Sequence, residues 1–293
     1  MDELLRLTRG AENRKTETGI PRVAMVQGPV PEHQLAAVYD PMINLILQGS
    51  KTMTVGDRAF RYDPATYFVM SIDLPAVGAV HPAADGSPYR AVSLLLEPQR
   101  IAALLADLPS PPMSSSSSGM AVGEVTPELL DAWTRLLRLM ESPQDIPALA
   151  PAYEREILYR VLTGRMGWML RDIATPDTTL ARVNQAIQWL RAHYREPVSI
   201  QELADRAAMS VSAFHRRFKA VTALSPLQFQ KRIRLLQARM LLVSGAGNAT
   251  SVAFEVGYES ATQFSREYTR FFGAPPARDA ARVLNELRAR EAA

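Results

Sequence analysis

Residues 199–221, SIQELADRAAMSVSAFHRRFKAV, decide how the C-terminal part of this chain is built. Ser199 and Glu202 stand in the capping-box arrangement that starts a helix, which then buries Leu203, Ala204 and Ala207. Ser210 caps a second helix after a very short turn. A short helix, a tight turn and a second helix with small residues at the bend form a helix-turn-helix pattern. Ser212, His215, Arg216 and Lys219 follow at i, i+3, i+4 and i+7, so they share one side of the second helix. Phe214, Phe218 and Val221 occupy the other side, and a polar, basic stripe is therefore presented by an aromatic anchor.

The pattern recurs. In SVAFEVGYESATQFSREYTRFF, Ala253 and Gly257 mark the first helix and bend, and Ser260 and Gln263 form another capping pair. Thr262, Ser265, Arg266 and Thr269 repeat the exposed spacing in front of Phe264, Tyr268 and Phe271. Arg216 and Arg266 fall at equivalent places. The two units, about residues 199–221 and 249–272, are joined by SPLQFQKRIRLLQARMLLVSG, with a Ser225 cap, Pro226 at the first helical position and an apolar row of Phe229, Ile233, Leu236 and Met240. A rigid connector fixes the separation of two recognition helices, so both could enter successive major grooves on one DNA face, about 34 Å apart.

Upstream the pattern changes. From Ile20 to about Glu97, short β-rich runs are broken by turn residues, and a hairpin is predicted around Gly56-Asp57. The runs VAMVQG, YFVMS and AVSLLLE complete a small antiparallel sandwich or barrel. The tract PSPPMSSSSSGM (109–120) reads as a mobile surface loop. Two helical stretches follow. Leu129, Trp133, Leu136 or Leu137, and Met140 line one of them, and YEREILYRVLTGRMGWMLRDI continues the helical pattern until Pro176. Their apolar faces suit core packing or a second copy of the chain. From Thr178 onward the pattern is helical throughout, beginning with Val183, Ile187 and Leu190 on one face. The fold class is thus α+β: a regulatory β domain at 1–108, a loop and linker helices at 109–177, an all-α domain of two helix-turn-helix units at 178–282, and a tail at 283–293.

Charge follows the same division. Residues 182–293 hold 17 Lys and Arg against 9 Asp and Glu, a net of +8, while the remainder carries −5 of the chain's +3. The C-terminal part is the one suited to a polyanion. Without cysteine there is no disulfide, thiolate site or cysteine nucleophile, which fits a reducing cytoplasm. No stretch reaches the ~20 apolar residues that cross a bilayer, and the start MDELLRLTRG lacks the apolar core of a secretory signal. The four histidines, His33, His81, His193 and His215, show no metal-ligand spacing, so no catalytic residue, metal or cofactor is assigned. A metal-dependent barrel enzyme fused to a DNA-binding domain, and an architectural DNA-binding protein that senses nothing, are the rival readings. The first lacks a histidine cluster; the second leaves most of the chain without a task.

At these residues the sequence resembles the AraC/XylS family of bacterial transcription regulators. The run from LADRAAMS to RMLL, then VAFEVGYESATQFSREYTRFFGAPP, carries the resemblance, and VYDPMINLILQGSKTMTVGDRAFRYDPATYFVMSIDLP is similar to the cupin-like sensor domain of one branch. The resemblance implies a regulator that binds double-stranded DNA, answers to a small-molecule effector of unknown identity and site, and acts with homodimeric association and RNA polymerase as further expected partners. It also implies residue roles. Ser212, His215 and Arg216 would face bases from the first unit, and Ala261, Thr262, Gln263, Ser265 and Arg266 from the second. Arginine can donate two hydrogen bonds to guanine and glutamine can pair with adenine, whereas alanine could only touch a thymine methyl. Arg217, Lys219, Lys231 and Arg270 would hold phosphates. The sequence departs from the family at Ala208, where glycine is common, and at Ala223-Leu224; a bend of negative φ is expected at Ala208, where alanine costs nothing.

Overall fold

A computed structural model describes residues 1–30, 35–108, 118–176 and 178–291. His33 and most of the proline and serine tract lie outside the described residues. Two antiparallel sheets form the N-terminal part. The larger has the order β1-β2-β9-β4-β7-β10, from β1 (Thr16–Glu17), β2 (Val23–Gln27), β9 (Arg90–Leu95), β4 (Met42–Gln48), β7 (Thr66–Met70) and β10 (Met120–Glu124). The smaller has the order β3-β8-β5-β6, from β3 (Ala36–Tyr39), β8 (Leu74–His81), β5 (Ser50–Val55) and β6 (Arg58–Tyr62). The hairpin expected at Gly56-Asp57 joins β5 to β6, pairing Val55 with Arg58. Gly56 supplies the positive φ that such a two-residue turn needs. β10 pairs with β7 along its full length, so the sheet closes only after residue 118, beyond the stretch whose sequence reads as β.

The strands INLIL and YFVM are apolar without alternation because the larger sheet is buried on both faces. Ile43, Leu45, Tyr67, Val69, Val92 and Leu94 turn outward against helices; Ile46, Phe68, Met70 and Ala91 turn inward toward the smaller sheet. The outer layer consists of α1 (Asp2–Leu7), α2 (Pro98–Ala106), α3 (Pro127–Arg138), α4 (Ile146–Thr163) and α5 (Gly167–Ala174). Leu129, Trp133, Leu136 and Leu137 of α3 are fully buried in this layer, so the apolar face that suited a second copy is covered by the chain itself. The last of these helical stretches is interrupted rather than continuous to Pro176. Gly164 takes extended backbone at the end of α4, and a Cβ at Gly167 would collide with the Leu162 carbonyl.

The helical C-terminal part comprises α6 (Thr179–Ala192), α7 (Ile200–Arg206), α8 (Val211–Thr222), α9 (Pro226–Val243), α10 (Ala249–Glu255), α11 (Ala261–Phe272) and α12 (Pro276–Glu291). α12 runs through the segment read as a tail. Its Asp279 is buried against Arg239 of α9. The cores divide unequally. Phe214 and Phe218 of the first unit and Phe229 of the connecting α9 belong to one cluster with the inner faces of the two sheets, whereas the second unit has its own cluster around Val252, Phe264 and Tyr268.

The two bends have one geometry. In the first, Ala208 N–H donates to Asp205 and Met209 N–H to Ala204; in the second, Gly257 N–H donates to Phe254 and Tyr258 N–H to Ala253. Both close a helix through a left-handed residue, as a Schellman-type cap requires. Ala208 therefore has φ 50°, not the negative φ expected, and Ala223 has φ 59° where the second unit uses Gly273 at φ 78°. An L-residue held left-handed costs about 1–2 kcal/mol. Ala208→Gly removes an exposed methyl, and so no packing, and is expected to raise the thermal midpoint by roughly 2–4 °C; a lowered midpoint in a melting experiment would contradict the strained bend.

Candidate nucleic-acid interface

Each recognition helix is set by its cap and its aromatic face. The Ser210 hydroxyl accepts from Ala213 N–H at 3.4 Å, and that of Ser260 from Gln263 N–H at 3.3 Å. The Ser199 hydroxyl accepts from Glu202 N–H without the reciprocal bond of a capping box; both halves of the box are formed at Ser225 and Gln228, which start α9. Phe214 and Phe218 of α8, and Phe264 and Tyr268 of α11, are buried and pack ring to ring at 5.4 Å in both units. Burying each such ring stabilises by about 1.5–3 kcal/mol, which fixes the rotation of the helix and hence its outer face.

That outer face is polar and basic in the first unit. Ser212, His215, Arg216, Arg217 and Lys219 are all exposed. Arg216, Arg217 and Lys219 make no side-chain ion pair or hydrogen bond among the described residues, and neither do Arg266 and Arg270 of α11. In the second unit Thr262, Gln263 and Arg266 are exposed, while Ala261 and Ser265 are half-buried. Two side chains are otherwise occupied. The Gln263 amide donates to Glu267 at 3.2 Å, and Lys231 forms an ion pair with the same carboxylate at 2.7 Å. Burial pushes the Glu267 carboxyl up, but donation from Lys231, Gln263 and the Tyr258 hydroxyl outweighs this and holds it below the ordinary value. Lys231 is thus half neutralised where a phosphate-holding role was expected of it.

The residue that ties the second bend to the segment preceding the first unit was not singled out in the sequence. Arg234 of α9 donates to the Tyr194 carbonyl at 2.6 Å and to Glu196 at 3.0 Å, both beyond the end of α6, and to Gly257 at 2.7 Å in the second bend. Gln230 donates to the same two carbonyls after α6. Five oriented guanidinium donors can bridge segments distant in sequence, which no local pattern reveals. Gly257 is required there, since a Cβ would collide with the Arg195 carbonyl.

The first unit also touches the β part. A Cβ on Gly56 would collide with the Ala223 carbonyl, and Asp57 and Arg58 line one shallow cleft with His215, Arg216 and Lys219. Gly119 N–H donates to the Val221 carbonyl at 3.0 Å, and Arg191 of α6 bridges Asp40 and Asp73 at 2.7 and 2.9 Å. No group of three or more His, Asp or Glu residues able to hold a metal occurs among the described residues. His81 instead contacts Thr52, and His193 stacks on Trp189 at 4.4 Å. No described helix is long and apolar enough to cross a membrane.

Comparison with known proteins places this geometry. Residues 19–169, just over half of the chain, match the family described as AraC-type transcriptional regulator N-terminus, and residues 203–282 match a helix-turn-helix domain. The HTH-type transcriptional activator RhaS of Escherichia fergusonii is 35% identical over 142 residues, covering 48% of this chain and 49% of that protein. RhaS of Salmonella schwarzengrund is 31% identical over 157 residues, covering 52% and 54%. The chain spans about half the length of the curated relatives it matches. In fold, it is similar to wild-type ToxT from Vibrio cholerae, described as bound to an unsaturated fatty acid, with a TM-score of 0.57 at 10% identity over 88% of this chain and 94% of that one. The chain belongs to the AraC-type transcriptional regulators.

Proposed function

We propose that this protein is a sequence-specific regulator of transcription that reads double-stranded DNA with α8 and α11, under the control of a small molecule bound in its N-terminal part. The observation that carries this is the repeated presentation of an arginine without a side-chain partner among the described residues, Arg216 and Arg266, on an aromatic-backed helix in two units joined by α9, whose Arg234 holds the second bend to the segment before the first unit. Residues 178–282 act as the DNA-binding part, and the two sheets with their outer helices as the regulatory part. Ser212, His215 and Arg216 read bases in one half-site, and Ala261, Thr262, Gln263, Ser265 and Arg266 in the other; Gln263 must first leave Glu267. Arg217, Lys219 and Arg270 hold phosphates, joined by Lys231 once Glu267 releases it. Effector control is supported by a cavity of about 260 Å³ that lies between the two sheets and by the core that the sheets share with the first unit, through which occupancy of one state can bias the other. ToxT, similar in fold, is described with a fatty acid bound.

Alanine substitution separates the roles. Arg216→Ala and Arg266→Ala are each expected to weaken specific binding by about 1–3 kcal/mol and to relax preference at one distinct base position. Lys219→Ala weakens specific and nonspecific DNA alike and flattens the salt dependence. Unchanged affinity and footprint in both arginine variants would remove the assignment.

A further inference from the structure

Between β4, β9 and the second sheet lies a cavity of about 260 Å³, whose apolar lining includes the inward-facing Val26, Val38 and Ala91. Lys51 of β5 is in it. The alternation of β5 turns Lys51, Met53 and Val55 inward, and the last two are core residues, so a lysine has been placed where the strand buries its side chains. Gly78 leaves room for its stem: a Cβ there would stand 3.1 Å from Lys51 Cε. The ammonium sits 5.0 Å from the centre of the Tyr39 ring, and no carboxylate among the described residues pairs with it.

This makes Lys51 unlike the other buried charges. Asp73 has Arg191, Glu154 has Arg22, and Arg239 has Asp279. A buried charge without a counterion is costly, so one is expected only where a ligand completes the pair. A second polar group in the cavity is also incomplete. Tyr89 is 2% exposed and its hydroxyl has no hydrogen-bond partner, whereas Tyr62 donates to Asn44 and Tyr39 to the Leu35 carbonyl. Burial pushes the Lys51 ammonium down to about 8, which leaves it mostly protonated at neutral pH.

We propose that this cavity is the effector site, that its ligand is a small monocarboxylic acid with an apolar body, and that Lys51 and Tyr89 hold the carboxylate. Two other charged residues line the cavity, but Lys15 is exposed and paired with Glu17 at 3.0 Å and Asp40 is paired with Arg191 at 2.7 Å, so Lys51 is the one uncompensated cation and matches one negative charge. The space equals that of about nine water molecules, which suits an acid of roughly that many heavy atoms. From Lys51 the strand runs directly to Gly56 and the hairpin tip packed on Ala223 at the end of α8, so a ligand that pulls on Lys51 acts on the strand that touches the first recognition helix. The proposal rests on the sensing role given above and adds the ligand class and its anchors.

The test is calorimetric titration of the full chain with phenylacetate and octanoate, against phenylacetamide and octanamide as neutral isosteres. The acids are expected to bind and the amides not. Lys51→Met keeps the stem and removes a buried charge, which folds are known to tolerate, and it should weaken acid binding by about tenfold or more with an unaltered circular dichroism spectrum. Tyr89→Phe should weaken it less. Equal binding of amides, undiminished binding to Lys51→Met, or no binding of either acid would overturn the assignment. The same titrations with DNA present distinguish it from the sensing role. Lysine-dependent acid binding that leaves DNA affinity unchanged would sink sensing and keep the site; amide binding that alters DNA affinity would do the reverse.

Discussion

Asp279→Ala is expected to destabilise the second helix-turn-helix unit by about 3–5 kcal/mol, the cost of leaving a buried charge without its partner. Asp279 has no solvent exposure and receives Arg239 in a two-bond fork, at 2.8 and 3.0 Å, with the Tyr268 hydroxyl at 2.9 Å and Arg282 at 2.8 Å. Arg239 is itself 2% exposed and lies over the Phe272 ring at 4.5 Å. Truncation would strand that guanidinium, one of whose nitrogens already lacks a partner. Burial pushes the Asp279 carboxyl up, but the arginine and tyrosine donors prevail and hold it below its ordinary value. A carboxylate whose folded pKa is depressed adds stability that is present above the unfolded pKa, about 3.9, and is lost as pH falls through the folded one. The unit should therefore loosen in acid, and Asp279→Asn should flatten that dependence. Hydrogen exchange is the direct measurement: protection in α10, α11 and α12 should fall while that in the sheets stays. A loss below about 1 kcal/mol, or one spread evenly through the chain, would contradict the separate core.

Phe218→Ala should produce the opposite distribution, with a cost of about 3–5 kcal/mol felt in the first unit and the sheets together. Phe218 is fully buried, meets Phe214 at 5.4 Å and Phe229 edge-on at 5.4 Å, and belongs to the cluster that contains Met53, Phe68 and Met70 from the strands. Removing the ring opens a cavity at the seam between regulatory and DNA-binding parts. Exchange protection in β5, β7 and α8 should drop in step, whereas α11 keeps its own. If β5 and β7 are unaffected, the shared core does not couple the two parts, and effector control needs another route.

The sequence shows the fold most clearly where a rule is local. Cap residues, three-and-four spacing and the Gly56-Asp57 pair each act within a few residues, so the two units, the long connector and the hairpin could be read directly. Features set by distant neighbours could not. INLIL and YFVM read as plain strands, yet they are apolar on both faces because a helical layer covers the larger sheet. Ala208 reads as compatible with negative φ, but the bend geometry shared with Gly257 holds it left-handed. Arg234, Arg239 and Lys231 look alike on α9, and only the folded chain separates a clamp on backbone carbonyls, a buried ion pair and a partner of Glu267. Lys51 was hidden in an alternating strand, where the signal was a charge at an inward position.

The central claim is that two helices, α8 and α11, held apart by the connecting α9, read two half-sites on one face of DNA. The measurement that meets it most directly is selection of bound sites from a random duplex pool by the purified full chain, repeated with Arg216→Ala and with Arg266→Ala. The account predicts a two-part site whose halves lie about one helical turn apart, with each variant losing preference in a different half. A single continuous motif, or loss in the same half for both variants, would contradict it.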